Sequence, residues 1–451
     1  MRQPEPELFS YEAPSSRLWP VIIKPERGEI LSSWLTRLAE ANGGSLQYLC
    51  WETWPGRDIL MKDLDRTAPE DVLEVLRDRT GITKSRLRQM TLQGLTGSLF
   101  EEFEPGPRGM PWILPVHMRF SRTHGAQFCP DCLKEAVPCF RRNWRLSFIT
   151  CCSRHQRLLS DSCPSCMRAI NPYRCFGGLR RNTGPVPVQF CRWCGWDLRT
   201  TIGESEAPVP IRLSSVISLQ NHLERALSDG WMHLQGIGEI HSIPWFKGIQ
   251  QIMRHLVGGG LTKRFRWVVQ EEMGIQVDAE YEELFEHTHL FEQLPVLVRY
   301  NSLEMLTWIL ESWPDRFIKV CRMSGLRQAR LFSEKDGKAP FWVWSVAREH
   351  LSIKYQRWRS ILLPAGMIIS YRKIGERLSN QASELRERRL QFIQQNVHLH
   401  ADPYDLVRRM KAEGLYSPNS EVSTLLKHIH SLITKSTTRP NLLDLIKFDG
   451  R

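Results

Sequence analysis

The stretch FCPDCL (residues 128–133) opens a series of paired metal-ligand residues that continues with CCSRH (151–155), SCPSC (162–166) and FCRWCGW (190–196). In each pair two residues separate the ligands, a spacing that lets one turn present both ligand atoms to a single ion. Eight unrelated cysteines and histidines would not show this regularity. The series therefore predicts metal binding, and it is the strongest signal in the sequence.

Two structural zinc sites are expected from this series. The ligands are predicted to be Cys129, Cys132, Cys152 and His155 in the first site, and Cys163, Cys166, Cys191 and Cys194 in the second. Four protein ligands suit structural Zn²⁺ and leave no open coordination position, which argues against hydrolytic zinc chemistry. Two alternatives stay open, because Cys151 could replace Cys152 and Cys175 could compete in the second site.

Length, charge and hydropathy limit the class of protein. The chain has 451 residues, enough for two to four domains, and a formal charge of +12 that favours polyanionic partners, with nucleic acid first among them. No apolar run reaches the roughly 18 residues of a membrane-spanning helix, and the N-terminus lacks the apolar core of a signal peptide. We therefore expect a cytoplasmic protein. The reducing cytoplasm favours metal-bound over disulfide-bonded cysteines.

Helical periodicity follows an extended, proline-rich arm at 1–27. GEILSSWLTRLAEANGG (28–44) predicts a helix that stops at the glycine pair, and SLQYLCWETW (45–54) starts another from Ser45. APEDVLEVLRDRTGITKSRLRQMTL (68–92) repeats the plan, with Pro69 at a first helical position, Gly81 as the stop, and Thr83 or Ser85 as the next cap. This arrangement permits a helix-turn-helix, although an ordinary helical hairpin has the same pattern.

The rest of the chain completes a mainly α, multidomain plan. Apolar positions three or four residues apart predict helices around 214–228, 245–257, 302–313, 341–351, 366–395, 403–413 and 419–434. The predicted domains are an arm (1–27), an N-terminal helical domain resembling a helix-turn-helix (28–118), a double zinc-finger or zinc-ribbon module (119–200), a linker (201–213), helical C-terminal domains with a possible second helix-turn-helix (214–434), and a tail (435–451).

Basic clusters are the candidates for nucleic-acid contact. Between residues 68 and 146 the candidate residues are Arg86, Arg88, Arg141, Arg142 and Arg145. A second group of candidates, Arg372, Lys373 and Arg377, lies in ISYRKIGERLSNQASELRERRLQFI (369–393). Two plainer interpretations remain. Glutamates interrupt the later positive run, so it also fits a solvated charged face. The arginines beside Trp144 also fit a rim around the zinc fold.

Enzymatic signatures are not recognisable. Gly258, Gly259 and Gly260 follow a helix and lack a downstream Gly-Lys-Ser/Thr, which disfavours a phosphate-binding loop. The histidines show no spacing to a recognisable catalytic partner. We therefore expect a protein that is not an enzyme.

The motifs resemble those of the TniQ/TnsD family, with similarity over residues 18–200. The similar blocks are GEILSSWLTRLAEANG (28–43), KDLDRTAPEDVLEVLRDRTG (62–81), SLFEEF (98–103), WILPVHMR (112–119), FCPDCL, CFRRNWRL (139–146), Cys-x2-His-x3-Leu, CPSC and CRWCGWDL. One departure is Met167, which follows Cys166 where the family usually has glycine, so that turn is less permissive.

This resemblance implies the target-site selection component of a Tn7-like transposon. Such a protein links a DNA attachment site to the AAA+ ATPase regulator of the TnsC type, and thereby to the transposase. The partners implied for this chain are double-stranded DNA and that ATPase. The implied cofactors are two structural Zn²⁺ ions, and the implied location is the bacterial cytoplasm, in association with the nucleoid.

Two alternative functions follow. Some relatives dock on a CRISPR effector complex, whose guide RNA selects the site, and this chain could act in the same way without reading DNA itself. The second alternative is a zinc-containing DNA-binding regulator unrelated to transposition. Homodimerisation is also left open.

Overall fold

The computed structural model describes residues 18–103, 110–116, 125–171, 184–200, 213–259, 262–275, 282–285, 290–331, 340–351 and 408–409. Helices dominate this part of the chain, and its sheets are two short antiparallel hairpins. The mainly α fold class, with two Cys/His clusters, is confirmed. The chain divides into two compact units: Met1–Gly94, Val116–Arg145 and Ser160–Gly203 form the first, and Leu95–Pro115, Leu146–Leu159 and Glu204–Arg451 the second.

The first unit begins with a helical pair. Its described helices are α1 (Leu31–Ala41), α2 (Leu46–Thr53), α3 (Glu70–Thr80), α4 (Lys84–Gln89) and α5 (Pro130–Leu133). The predicted apolar stripe of α1 is buried, with Trp34 and Leu38 fully enclosed. The indole N–H of Trp34 donates to the carbonyl of Ile23 at 3.0 Å, which fastens the preceding segment to α1. Ser45 caps α2 by accepting a hydrogen bond from the Tyr48 amide at 3.1 Å.

A three-residue turn joins α3 to α4. Gly81 ends α3 in the left-handed conformation with a φ of 72°. The Thr83 hydroxyl then accepts a hydrogen bond from the amide of Arg86, so Thr83 rather than Ser85 caps α4. Pro69 lies one residue before its predicted position, because α3 begins at Glu70. The helical hairpin is therefore present, while its contact with DNA remains a prediction.

The second unit is a helical assembly with two hairpins. Its described helices are α6 (Leu213–Asp229), α7 (Ser242–Val257), α8 (Lys263–Met273), α9 (Val296–Glu311), α10 (Asp315–Ser324), α11 (Gln328–Leu331) and α12 (Phe341–His350). Strand β1 (Cys151–Cys152) pairs with β2 (Arg157–Leu158), and β3 (Trp231–Leu234) pairs with β4 (Gly238–His241).

Aromatic side chains hold the second unit together. The ring of Trp112 meets Phe148 and Phe291 edge to face, each at a centroid distance of 5.8 Å, and Phe148 lies 5.3 Å from Phe246 on α7. Such pairs add about 0.5–1.5 kcal/mol each beyond their buried area. The segment around Trp112 is thereby anchored to helices far along the chain.

Helix α12 packs on α7 at very short range. The rings of Trp245 and Trp342 stack at 4.8 Å, and the indole N–H of Trp342 donates to the Pro244 carbonyl at 2.9 Å. The Trp342 ring lies directly over Gly248, where any Cβ atom would overlap it. The absence of a side chain at Gly248 is what lets the two helices approach.

One amide side chain joins α6 to β1. Gln220 is buried, and its Oε1 accepts hydrogen bonds from the amides of Thr150 (2.6 Å) and Cys151 (3.0 Å) and from the Thr150 hydroxyl (2.9 Å). Its Nε2 donates to the Cys151 carbonyl at 3.2 Å. Gln220 therefore pairs with β1 much as a neighbouring strand would.

The predicted C-terminal helices are found where the structure describes the chain. The segments at 214–228, 245–257, 302–313 and 341–351 fall on α6, α7, α9 and α12. Three other predicted helices lie outside the described residues: 366–395, 419–434 and, except for residues 408–409, 403–413. The same holds for the tail at 435–451, residues 1–17 of the arm and residues 201–212 of the linker. The predicted domain boundaries stay predictions. None of the described helices is long and apolar enough to cross a membrane.

Candidate metal centres and nucleic-acid surfaces

The four ligand residues predicted for the first site lie together. All pairs of their ligand atoms are within 4.8 Å, and all but His155 are buried. Cys129 occupies the N-cap position of α5, Pro130 takes the first helical position, and Cys132 follows within the same turn. Cys152 ends β1 and His155 lies in the turn before β2, which brings Sγ of Cys152 to 3.5 Å from Nδ1 of His155.

Adjacent cysteines in β1 have different surroundings. Successive side chains of a strand point to opposite faces, and only Cys152 belongs to the cluster. Sγ of Cys151 lies 3.7 Å from the Thr150 hydroxyl, and burial raises the pKa of Cys151 to about 12. Because Sγ of Cys152 lies with the other three ligand atoms, the structure favours Cys152 as the ligand. Cys175 lies outside the described residues.

The second cluster consists of four cysteines from two turns. Sγ of Cys163 is 3.7 Å from Sγ of Cys194, and Sγ of Cys166 is 3.9 Å from Sγ of Cys191. In a tetrahedral site with Zn–S bonds of about 2.3 Å, neighbouring sulfur atoms are about 3.8 Å apart. The sulfur positions therefore fit a tetrahedral metal ion.

Each of these turns closes with a residue of positive φ. The amide of Met167 donates to the Cys163 carbonyl at 2.8 Å, and the amide of Gly195 donates to the Cys191 carbonyl at 2.9 Å. Their φ angles are 55° and 78° respectively. Met167 thus adopts a conformation that favours glycine, in agreement with the less permissive turn expected from the sequence.

Trp193 fastens the two turns to each other. Its indole N–H donates to the Ala169 carbonyl at 3.0 Å, and the Arg168 guanidinium lies 4.6 Å from the centre of its ring. Its backbone amide also points to Sγ of Cys191 at 3.4 Å. Amide donors of this kind stabilise the negative charge of a metal-bound thiolate.

Both clusters have the chemistry of closed metal sites. The first offers three sulfur ligands and one imidazole, and the second four sulfur ligands. In each, four side chains suffice for a tetrahedral coordination shell. The clusters can therefore hold metal ions that stabilise the local fold.

The predicted nucleic-acid residues on α4 differ in their partners. Arg86 is exposed. Arg88 forms an ion pair with Glu70 of α3, which also binds Lys84 at 2.7 Å. The carboxylates of α3 therefore neutralise part of this basic surface.

Arg141 and Arg142 make contacts within the first unit. The guanidinium of Arg141 donates to the Arg27 carbonyl at 3.2 Å and lies 3.6 Å from Glu135. The guanidinium of Arg142 donates to the Gln89 carbonyl, and burial lowers the pKa of Arg142. Their contribution to nucleic-acid binding remains a prediction.

Arg145 has a structural role. Its side chain is 3% exposed and forms ion pairs with Asp63 at 2.7 Å and Asp65 at 3.5 Å. Ser32 donates to Asp65 from both its amide and its hydroxyl. Burial raises the pKa of Asp65, while the Arg145 charge opposes that rise. The predicted contact of Arg145 with nucleic acid is therefore corrected, because the side chain is enclosed and bound to carboxylates.

A small cavity adjoins this buried network. Its volume is about 30 Å³, room for about two water molecules. The polar residues around it include Gln127 and Asn171. This cavity is too small for a nucleotide or a metabolite. The remaining nucleic-acid candidates, Arg372, Lys373 and Arg377, lie outside the described residues.

Comparison with known protein families identifies the N-terminal part of the chain. Residues 20–159 match the TniQ family model. The match includes the ligands of the first cluster and ends before those of the second. A search of curated proteins found no match. Over residues 20–159 the chain is therefore similar to the TniQ family, and this match supports membership of that family.

Proposed function

We propose that the protein selects the target site of a Tn7-like transposon, binding DNA there and recruiting the AAA+ ATPase regulator of the TnsC type. The observation that carries this proposal is the TniQ match over 20–159, because it associates the chain with transposition. The net charge of +12 supports contact with a polyanion.

The two Cys/His clusters act in this proposal as structural zinc sites. Thiolate and imidazole donors at tetrahedral spacing are the ligand set that Zn²⁺ prefers in folded modules. Catalytic zinc keeps a coordination position for water or substrate, whereas each cluster already offers four side chains. We therefore propose that the protein performs no bond chemistry. Metal-dependent cleavage of DNA by the purified protein would refute this.

Selection of genomic DNA tests the DNA-reading part of the proposal. Fragments of a host genome are bound to the full-length, metal-loaded protein at low and at near-physiological salt, and the retained fragments are sequenced. We expect one site to survive at the higher salt, since non-specific phosphate contacts weaken steeply with salt. Uniform binding that disappears at the higher salt would instead favour recruitment by a partner such as an RNA-guided CRISPR complex.

An apolar surface in the first unit is our candidate for ATPase binding. On α2, Tyr48 is 40% exposed and Trp51, one helical turn further, is 67% exposed. Val21, on the segment before α1, is 42% exposed and exchanges backbone hydrogen bonds with the Asn42 side chain close to the start of α2. Exposed aromatic side chains are typical anchors of protein interfaces.

Association with the ATPase tests this surface. Changing Tyr48 and Trp51 together to alanine should weaken capture of the ATPase at least tenfold, because anchors of this kind contribute about 2 kcal/mol or more each. Trp267 on α8, which is 49% exposed, provides the matched control Trp267→Ala in the second unit. Equal capture by wild type and the Tyr48/Trp51 variant would exclude this surface.

A further inference from the structure

Helices α10 and α11 form a compact corner in the second unit. Gly325 adopts a φ of 70°, its amide donates to the Arg322 carbonyl, and the amide of Leu326 donates to the Cys321 carbonyl at 2.8 Å. This is the hydrogen-bond pattern of a Schellman motif, which fixes the direction of the chain after a helix. Gly325, Leu326 and Arg327 are the whole connection between the two helices, so the corner is a helix, a three-residue turn and a second helix.

Buried side chains hold this corner in place. Phe317 and Cys321 on α10 are fully buried, and Leu331 at the end of α11 is fully buried too. Phe317 packs against Phe265 of α8 with ring centroids 6.4 Å apart. The exposed side chains of the corner are therefore carried on a backbone with a defined position.

The exposed face of the corner is strongly basic. Residues 315–331 contain five basic residues and one acidic residue, a formal charge of +4. Two of the basic residues are paired, Arg316 with Glu311 and Lys319 with Glu272. Arg322, Arg327 and Arg330 are exposed, and within the described part of the chain their guanidinium groups form no ion pair or hydrogen bond.

The hairpin of α3 and α4 provides a comparison inside the same chain. Residues 70–89 also contain five basic residues, but four acidic residues reduce the formal charge to +1. There, Lys84 binds both Glu70 and Glu74, and Arg88 binds Glu70. The two helix pairs, each joined by a three-residue turn, thus differ in formal charge and, among the described residues, in how many basic side chains are paired with carboxylates.

We propose that the α10–α11 corner is a contact surface for the phosphate backbone of double-stranded DNA, with Arg322, Arg327 and Arg330 as the phosphate ligands. The proposal rests on the proposed DNA-binding function and assigns it a place in the fold. Guanidinium groups bind phosphate oxygens through paired hydrogen bonds. Two helices joined by a three-residue turn also form the scaffold that many duplex-binding proteins place against DNA.

The sequence pattern does not single out these arginines, because they are scattered among apolar residues. Only the folded corner shows that all three are exposed and that, among the described residues, none of them is paired with a carboxylate. The eight residues that follow, 332–339, carry two lysines and two acidic residues and leave the local charge unchanged.

Salt-dependent DNA binding tests the inference. Full-length, metal-loaded protein is titrated against a fluorescein-labelled duplex of mixed sequence, and anisotropy is measured across a range of potassium chloride concentrations. The slope of log K against log salt reports the number of neutralised phosphates. Changing Arg322 and Arg330 to glutamine should reduce the magnitude of this slope by about 2, about 1 for each lost phosphate contact.

Two further variants make the outcome specific. Changing both residues to lysine keeps the charge and should preserve the slope. Changing Arg86 and Arg88 of α4 to glutamine measures the contribution of the other predicted basic surface. If the α4 variant loses slope and the α10–α11 variant does not, the inference is wrong while DNA binding stands. If wild type binds no duplex even at low salt, the proposed DNA-binding function itself fails. Binding of an acidic protein by the corner, with an unaltered DNA slope, would also overturn the inference.

Discussion

Met167 and Gly195 occupy the same position in the two cysteine turns of the second metal cluster. Both have positive φ, yet only glycine adopts that conformation without a steric penalty. The Met167 side chain is 68% exposed, so packing offsets little of the penalty. Met167 therefore lowers the stability of its own turn.

Replacing Met167 by glycine should strengthen metal retention. Relief of the left-handed strain, less the entropy cost of glycine, amounts to about 1 kcal/mol, or roughly a fivefold higher metal affinity. Competition with a chelator measures this as a higher chelator concentration at half-removal. The matched change Gly195→Ala should move the midpoint the opposite way, and equal midpoints for all three proteins would contradict the strain argument.

The burial of His255 predicts that the stability of the second unit depends on pH. It is buried on α7, and this burial lowers its pKa to about 4. A histidine pKa below its unfolded value of about 6.5 means that the folded state favours the neutral ring, so its stabilisation is complete above pH 6.5 and is lost as pH falls towards 4.

The variant His255→Leu isolates this contribution. Between pH 7.5 and pH 5.5 the wild type should lose about 1 kcal/mol more unfolding free energy than the variant. Urea unfolding at both pH values measures the difference, and effects of acid on the metal clusters are common to both proteins. Identical losses would show that His255 does not contribute to the acid sensitivity.

Single residues also show the limits of inference from sequence. The cysteine pairs were predictable because short spacing alone brings their ligand atoms together. The role of Arg145 was not, because Asp63 and Asp65 are about 80 residues away in the sequence and meet Arg145 only in the folded unit. Local patterns reveal local geometry, whereas burial by distant segments requires the tertiary structure.

At the scale of elements, the contact between α7 and α12 depends on Gly248. A methyl group there would overlap the Trp342 ring, so Gly248→Ala must push α12 away from α7 or rotate that ring out of its stack with Trp245. Overpacking of this kind costs about 1–3 kcal/mol. The midpoint of thermal unfolding of Gly248→Ala should therefore be lower than that of the wild type. The control Gln250→Ala changes a half-buried residue two positions further on the same helix and should lower the midpoint much less. An unchanged midpoint for Gly248→Ala would mean that the helices separate at no cost.

Helices were more predictable than hairpins. The apolar stripe of α1 extends over three turns and determined that element from periodicity alone. The hairpin of β3 and β4 has only four residues in each strand and was not predicted. Gly236 and Gly238, both with positive φ, let the chain reverse there, but isolated glycines occur in many kinds of loop.

For the whole molecule, metal content and stability should change together. Cys163→Ser removes one ligand of the second cluster, and we expect bound zinc to fall from two equivalents per chain to one, with loss of protection from proteolysis around residues 163–198. Elemental analysis and limited proteolysis measure both effects. Cys139 is buried but belongs to neither cluster, so Cys139→Ser should keep both metal ions. Retention of two equivalents by Cys163→Ser would show that the cluster does not depend on this ligand.

The pairing of Gln220 with β1 affects how the chain avoids aggregation. An exposed strand edge offers free amide and carbonyl groups to which a strand from another molecule can add. Gln220 occupies those groups at Thr150 and Cys151, so β1 has no vacant edge there for a foreign strand. A side chain on a helix thereby protects a hairpin too short to protect itself. Loss of this amide would leave buried backbone groups of Thr150 and Cys151 unpaired, and any opening of α6 would then offer them to a strand of another molecule.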